Sequence, residues 1–179
     1  MLDIANTVLV IVDVQERLAR VIHDRDQLLI NLQKLISGAQ VLDIPIILTE
    51  QYPQGLGQTV PEVAHLLPET KPITKLSFSC CGEQRFLGEV ETLNRPQVLV
   101  AGIESHVCVY QTVIDLLERG YEVQVVVDSV SSRTVKNREI SMEKMKSAGA
   151  SLTSTEMALF ELLKVAEGDK FKKISKIVK

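Results

Sequence analysis

The feature that most constrains the fold is an alternation of short apolar runs with longer segments of helical periodicity. Continuous apolar runs at 8–12 and 97–102 predict strands that are buried on both faces. Elsewhere, as in 27–42, apolar residues recur at the spacing of an amphipathic helix. Strands that alternate with helices form right-handed βαβ crossovers, so the chain predicts an α/β fold with a parallel sheet between two helical layers.

The predicted elements follow one another along the whole chain. Strands are predicted at 8–12, 44–48, 72–75, 97–102, 122–127 and 151–153, and helices at 27–42, 83–93, 106–119, 137–148 and 156–166. Gly120 ends one of these helices in the position after the last helical residue. The polar segment 50–57 is predicted to be a loop. No linker or repeat divides the chain, so we expect a single domain over 1–179.

Composition excludes several classes of protein. The chain has 179 residues, of which 45% are hydrophobic and 24% charged, which is typical of a soluble globular domain. The net charge of −3 and the lack of a basic arm argue against a nucleic-acid partner. The one basic run, 170–179, is predicted to be a solvated helix or tail.

The cysteines and the amino-terminal segment indicate a cellular compartment. The apolar run 8–12 is too short for a signal core or a membrane span, so we expect no membrane association. Three cysteines, two of them adjacent, give neither a disulfide framework nor the spacing of a zinc site. The sequence therefore predicts a cytoplasmic protein with at least one free thiol.

Three chemically capable residues lie at the predicted carboxyl ends of strands. Asp13 follows the first strand, Lys75 ends the third, and Cys108 lies just beyond the fourth. Parallel sheets bind ligands at this edge, so the three side chains are expected to meet there. Each has a structural interpretation by itself: Asp13 as a helix cap or salt bridge, Lys75 as a surface lysine and Cys108 as core packing. Together they predict a thiol nucleophile with a carboxylate base and a cationic neighbour.

The surroundings of Cys108 indicate which group takes its proton. Ser105 is expected to cap the following helix, which places Cys108 in the first turn and predicts a lowered pKa for its thiol. His106 is two residues away and points about 200° from Cys108 on a helix, so a Cys-His dyad is not expected. Asp13 is therefore the predicted base.

The segments that carry these residues resemble a known family. Residues 9–15, Lys75 and residues 101–109 are similar to the isochorismatase-like (cysteine hydrolase) superfamily, in particular to its isochorismatase domain-containing branch. Segments 49–57 and 127–133 resemble the same branch, and the similarity runs from about residue 6 to 165. The order of the five motifs makes the resemblance specific.

The resemblance implies a fold and a catalytic arrangement. The implied fold is the Rossmann-like isochorismatase fold, a three-layer α/β/α domain with a six-stranded parallel sheet in the order 3-2-1-4-5-6. The implied Asp-Lys-Cys triad falls on Asp13, Lys75 and Cys108. A cis peptide is implied between Ile103 and Glu104, and the backbone N–H groups of Glu104 and Cys108 would form the oxyanion hole.

One departure from the family pattern bears on cofactors. Members that act on nicotinamide carry an Asp/His metal set after the second strand, whereas this chain has Glu50, Gln51 and Tyr52 there. We therefore expect neither a metal ion nor another cofactor. The thiol at Cys108 favours covalent hydrolysis of a small amide through a thioester. The alternatives are vinyl-ether hydrolysis of the isochorismatase type, a catalytically weak partner-binding protein, and a thiol redox sensor.

Substrate contacts and assembly complete the expectations. Candidate substrate contacts at the same edge of the sheet are Gln15, Glu50, Tyr52 and Phe78. A homo-oligomer is predicted from apolar residues in the segment after the second strand, namely Leu56, Val60 and Val63.

Overall fold

A computed structural model describes residues 1–179 and contains one six-stranded sheet in the order β3-β2-β1-β4-β5-β6. Every pairing in the sheet is parallel. The strands are β1 (Thr7–Val12), β2 (Ile46–Gln51), β3 (Ile73–Lys75), β4 (Gln97–Ile103), β5 (Glu122–Ser131) and β6 (Ser151–Thr153). The predicted α/β class and strand order are confirmed.

Helices cover both faces of the sheet. They are α1 (Glu16–Ala19), α2 (Arg25–Val41), α3 (Pro53–Leu56), α4 (Pro61–Ala64), α5 (Gln84–Leu93), α6 (Tyr110–Glu118), α7 (Val135–Ser147), α8 (Thr155–Leu163) and α9 (Gly168–Val178). None is long and apolar enough to cross a bilayer.

The alternation of side chains along β1 divides the core into two layers. Leu9 and Ile11 pack with residues of α2, α8 and α9 on one face. Val8, Val10 and Val12 pack with residues of α5, α6 and α7 on the other. Because both faces are covered, β1 is apolar at nearly every position.

Pairing between strands extends two of them beyond their predicted ends. β2 runs on to Gln51 because its polar end pairs with β3, where Gln51 lies opposite Lys75. β5 runs on to Ser131 because a bulge in the β4–β5 pairing, between Val100 and Gly102, lets the two strands pair again afterwards. Neither extension follows from local hydrophobicity.

The basic carboxyl terminus forms a packed helix. Ile174 of α9 is fully buried against the core, whereas the lysines of this helix lie at or near the surface. The expected solvated helix or tail is therefore wrong for the apolar face of α9. The amphipathic spacing of its apolar residues carries that face onto α2 and α8.

Gly102 brings the carboxyl ends of β1 and β4 together. It lies opposite Val12 in the sheet and has a φ of 122°, in the left-handed region that favours glycine. A Cβ atom at this position would lie 2.1 Å from the carbonyl oxygen of Val12. The close approach sets the spacing between Asp13, which follows β1, and the residues that follow β4.

Candidate active site

A buried ion pair occupies the carboxyl edge of the sheet. The Nζ atom of Lys75 lies 2.6 Å from Oδ2 of Asp13, and both side chains are 0% exposed. β1 and β3 are not neighbours, so the two side chains meet across the end of β2. Asp13 has a φ of 50°, and this left-handed conformation turns the chain at the end of β1.

The ammonium group of Lys75 is surrounded by acceptors. Besides Asp13, it donates to Oε1 of Gln51 at 2.9 Å and to the carbonyl oxygens of Ser77 at 3.2 Å and Phe78 at 2.9 Å. Three N–H bonds thus serve four acceptors, which leaves none for direct contact with a substrate. Burial lowers the pKa of Lys75, but the charge of Asp13 and its hydrogen bond outweigh this effect and raise the pKa above its ordinary value.

Cys108 lies in a π-helical turn (Ser105–Val109) that follows β4 after Glu104, and we call this segment the Cys108 turn. The residue is 5% exposed, and its Sγ lies 4.0 Å from Oε1 of Gln51. The same oxygen of Gln51 accepts from Lys75, so it lies between the ammonium and the thiol.

The protonation of Cys108 differs from the expectation. Burial raises the pKa of the Cys108 thiol, Asp13 raises it further, and the opposing effect of Lys75 does not compensate. The predicted lowering of this pKa is therefore wrong, because the sequence did not reveal how completely the thiol is removed from water. At neutral pH Cys108 is a thiol beside a carboxylate.

The Cys108 turn is held by contacts to Ser132, which follows β5, and to Ser141 of α7. The Ile103–Glu104 peptide is cis, at the position that the family resemblance implied. Glu104, rather than the expected Ser105, is the residue that precedes the turn. The Ser105 hydroxyl instead lies 2.5 Å from that of Ser132 and 2.9 Å from that of Ser141. Its capping role is therefore wrong, because Ser105 lies inside the turn and points towards the next strand and helix.

Two further contacts of this segment define what lies near the thiol. The Glu104 carboxylate pairs with Nε of Arg133 at 2.6 Å. Nδ1 of His106 lies 2.9 Å from the Ser132 hydroxyl, and no hydrogen bond joins the ring to Cys108. The ring is therefore engaged by Ser132 rather than by the thiol.

The other predicted substrate contacts fall into two groups. Gln15 is fully buried and bonds to backbone atoms of Gln51 and Gly57, while Glu50 accepts from the backbone and hydroxyl of Thr59. These side chains hold the segment after β2 in place. Tyr52 and Phe78 have half-exposed rings and are free to meet a ligand.

Sequence reasoning missed two residues of β2. Thr49 and Gln51 point to the same face of the strand, and their side chains contact Asp13 and Lys75 respectively. The sequence pattern that could have identified them is a pair of polar residues at alternate positions near the end of a buried strand. Cys80 also lies here, fully buried, with Sγ 3.7 Å from Oγ1 of Thr49, and burial raises its pKa to about 12.

The surrounding residues do not form an evident metal site. No group of three or more His, Cys, Asp or Glu side chains is arranged to hold a metal ion. Close to the ion pair the side chains are instead two thiols, a hydroxyl and an amide, which stand around a lysine ammonium.

The order of the strands is that of the isochorismatase class of hydrolase folds. The buried Asp-Lys pair and the adjacent thiol lie at the carboxyl edge of this sheet. The sequence profile of the Isochorismatase domain matches residues 7–157. The chain belongs to this family.

Comparison with individual relatives agrees with this assignment. The chain is 40% identical to the secreted isochorismatase effector Isc1 of Phytophthora sojae, over 97% of this chain and 85% of the relative. It is 38% identical to isochorismatase domain-containing protein 2 of Danio rerio, over 99% of this chain and 89% of the relative. Since the first of these relatives is called secreted, the cytoplasmic location of this chain stays a prediction.

Two solved structures superpose closely on this chain. The MAR1 ribonuclease of Caenorhabditis elegans has a TM-score of 0.93 at 40% identity, covering 99% of this chain and 91% of its own. YcaC from Pseudomonas aeruginosa, determined with hexane-2,5-diol and covalent acrylamide, has a TM-score of 0.94 at 26% identity, covering 99% and 89%.

Proposed function

We propose that this chain is a cysteine-dependent hydrolase of a small amide. The observation that carries the proposal is the proximity of the Cys108 thiol to the Asp13–Lys75 pair, since its Sγ lies 4.0 Å from the Gln51 oxygen that also accepts from Lys75. A buried ion pair beside a thiol is costly to assemble and has little value for packing alone. Functional sites are where such perturbed titratable groups collect.

The first half of the proposed reaction forms a thioester. The Cys108 sulfur bonds to the carbonyl carbon of the amide while Asp13 takes the thiol proton. Because the pKa of Cys108 is raised, proton transfer accompanies attack, and no standing thiolate is required. The carbonyl oxygen becomes an oxyanion that the backbone N–H groups of Glu104 and Cys108 would stabilise. Asp13 then gives its proton to the leaving nitrogen, and the C–N bond breaks.

The second half returns the enzyme to its resting state. Asp13 takes a proton from water as the water oxygen bonds to the thioester carbon. The C–S bond breaks, the carboxylic acid leaves, and the proton returns from Asp13 to sulfur. Lys75 stays charged throughout and compensates the negative charge of the site, since its N–H bonds are all used by Asp13, Gln51 and backbone carbonyls.

The comparison with YcaC supports a reactive nucleophile. Acrylamide is bound covalently in the Pseudomonas protein. Acrylamide alkylates nucleophilic side chains, thiols above all, and it carries a small primary amide. The same reagent is a suitable probe of Cys108 in this chain.

The test is a screen of small amides with wild type and the Cys108→Ala variant. The proposal expects hydrolysis of at least one amide, with a loss of about 10³-fold or more in the variant. Hydroxylamine added during turnover should divert the thioester to a hydroxamate. Full hydrolysis by Cys108→Ala would show that the thiol is packing and that catalysis is not covalent.

Vinyl-ether hydrolysis is the second candidate function. Its support is the family itself and the 40%-identical relative that is called an isochorismatase effector. This chemistry needs proton transfer and water but no nucleophilic thiol. Isochorismate hydrolysis that survives Cys108→Ala but not Asp13→Asn would favour it over amide hydrolysis.

The ribonuclease name belongs to the C. elegans relative and transfers poorly to this site. An RNA phosphate needs an accessible cation, and Lys75, the cation of this site, is buried. The absence of a nucleic-acid partner stays a prediction, and an RNA oligonucleotide left intact by the protein would support it.

Assembly into a homo-oligomer also remains a proposal, with different support. Val60 and Val63 are buried in this chain's own core, so the sequence argument from them is wrong. The exposed side chains of Tyr52, Leu76 and Phe78 form apolar surface instead. YcaC from Escherichia coli, 25% identical, is described as an octameric hydrolase of unknown specificity. Light scattering that detects only a species of about 20 kDa, the mass of one chain, would contradict the proposal.

A further inference from the structure

The Asp13 carboxylate has a second fixed partner besides Lys75. The hydroxyl of Thr49, on β2, donates to Oδ1 of Asp13 at 2.7 Å, while Lys75 donates to Oδ2. Thr49 is fully buried, so no water competes for this bond. Both carboxylate oxygens therefore have one donor each within the protein.

The direction of the hydrogen bonds around Thr49 is determined by chemistry. An ionised carboxylate can only accept, so the single hydroxyl hydrogen of Thr49 points to Asp13. The Cys80 thiol lies 3.7 Å from the same hydroxyl oxygen and can only act there as the donor. Thr49 and Lys75 together thus fix the plane of the two carboxylate oxygens.

We propose that Thr49 is the positioning residue that holds Asp13 in the orientation in which it accepts the Cys108 proton. The inference rests on the proposed function, because it assigns Thr49 a role only through Asp13 as base. Thr49 itself touches neither the substrate nor the sulfur that reacts. It fixes one oxygen from the side of β2, as Lys75 fixes the other from β3.

The experiment follows the rate of alkylation of Cys108 by acrylamide at pH 7, by intact mass and peptide mapping. The sulfur bonds to the terminal alkene carbon, and the thiol proton passes through Asp13 to the adjacent carbon. Wild type and Thr49→Ser, which keeps the hydroxyl, should react at the same rate. Thr49→Val, which has nearly the same shape but no hydroxyl, should react about tenfold more slowly, because one oxygen of the base is no longer held in place.

Two controls separate the failure of this inference from failure of the proposed function. Asp13→Asn should abolish base-assisted labelling, and if it labels like wild type then Asp13 is not the base. If Asp13→Asn is inert but Thr49→Val reacts at the wild-type rate, only the role of Thr49 is wrong. An equal loss of rate in Thr49→Ser and Thr49→Val would also overturn it, since the hydroxyl would not matter. Thr49→Ala replaces Thr49→Val, with the same expected loss, if the latter does not fold.

Discussion

Lys75 and Asp13 lie 62 positions apart in the chain, yet their side chains form an ion pair of 2.6 Å with no exposure to solvent. Removing two charges from water is costly, and their attraction offsets the cost only when both are present and hydrogen-bonded. Here Thr49, Gln51 and two backbone carbonyls supply the remaining bonds. A change to either residue of the pair is therefore expected to affect both the stability of the fold and the geometry of the site.

Breaking this pair from one side should destabilise the protein strongly. Lys75→Met leaves the Asp13 carboxylate buried without a counter-charge, so we expect the free energy of unfolding to fall by about 3–5 kcal/mol. Asp13→Asn combined with Lys75→Met should recover much of this loss while remaining inactive. Urea unfolding at pH 7 measures both variants. A double variant no more stable than Lys75→Met would contradict the account.

The resting protonation of Cys108 can be observed by thiolate absorbance near 240 nm. Because burial and Asp13 raise the pKa of this thiol, the difference spectrum between wild type and Cys108→Ser should stay flat from pH 5 to 9. An absorbance step between pH 6 and 8 that Cys108→Ser removes would instead indicate a standing thiolate.

Stability should decrease in alkaline solution because all three cysteines are buried thiols. Burial raises the pKa of Cys80 to about 12 and of Cys81 to about 11, and the pKa of Cys108 is raised too. Above about pH 8.5 the unfolded chain loses these protons while the folded protein keeps them. The free energy of unfolding is thus unaffected below that pH and falls above it, with a limiting slope of about 1.4 kcal/mol per pH unit for each thiol.

Urea unfolding between pH 8.5 and 10 tests this dependence in a range below the ordinary pKa values of lysine and tyrosine. Cys80→Ala should reduce the slope by about one third, whatever its effect on stability at pH 7. An unchanged slope in that variant would show that Cys80 ionises equally in both states.

Gly102 should not tolerate a side chain. A Cβ atom there would lie 2.1 Å from the Val12 carbonyl oxygen and 2.6 Å from its nitrogen, and backbone atoms in a central strand cannot move away. We expect Gly102→Ala to lower the free energy of unfolding by about 3 kcal/mol or more.

The matched control for that substitution is Gly88→Ala on α5. An added Cβ at Gly88 meets nothing within 4 Å, and alanine favours a helix over glycine by roughly 0.5–1 kcal/mol. Denaturant unfolding should therefore show a neutral or stabilised Gly88→Ala. Comparable stability of the two alanine variants would refute the close approach of β1 and β4.

The sequence by itself determined the order of strands and helices, and with it the edge of the sheet where function is expected. Apolar runs and helical spacing are local properties, and the right-handed crossover rule converts them into a parallel sheet. Asp13, Lys75 and Cys108 could be singled out because parallel strands deliver their carboxyl ends to one edge. The resemblance to the family added the strand order and the cis peptide.

The tertiary structure alone decided the protonation and the partners of those residues. The pKa of Cys108 depends on how much water reaches it, and that is set by segments distant in the chain, so its local position in a helical turn gave the wrong direction. Thr49 and Gln51 gained their roles only when β2 was placed between β1 and β3. Val60 and Val63 are buried in the hydrophobic core of this chain, which their positions in the sequence did not show. Burial and hydrogen bonding are sums over neighbours in space, and a linear pattern does not record them.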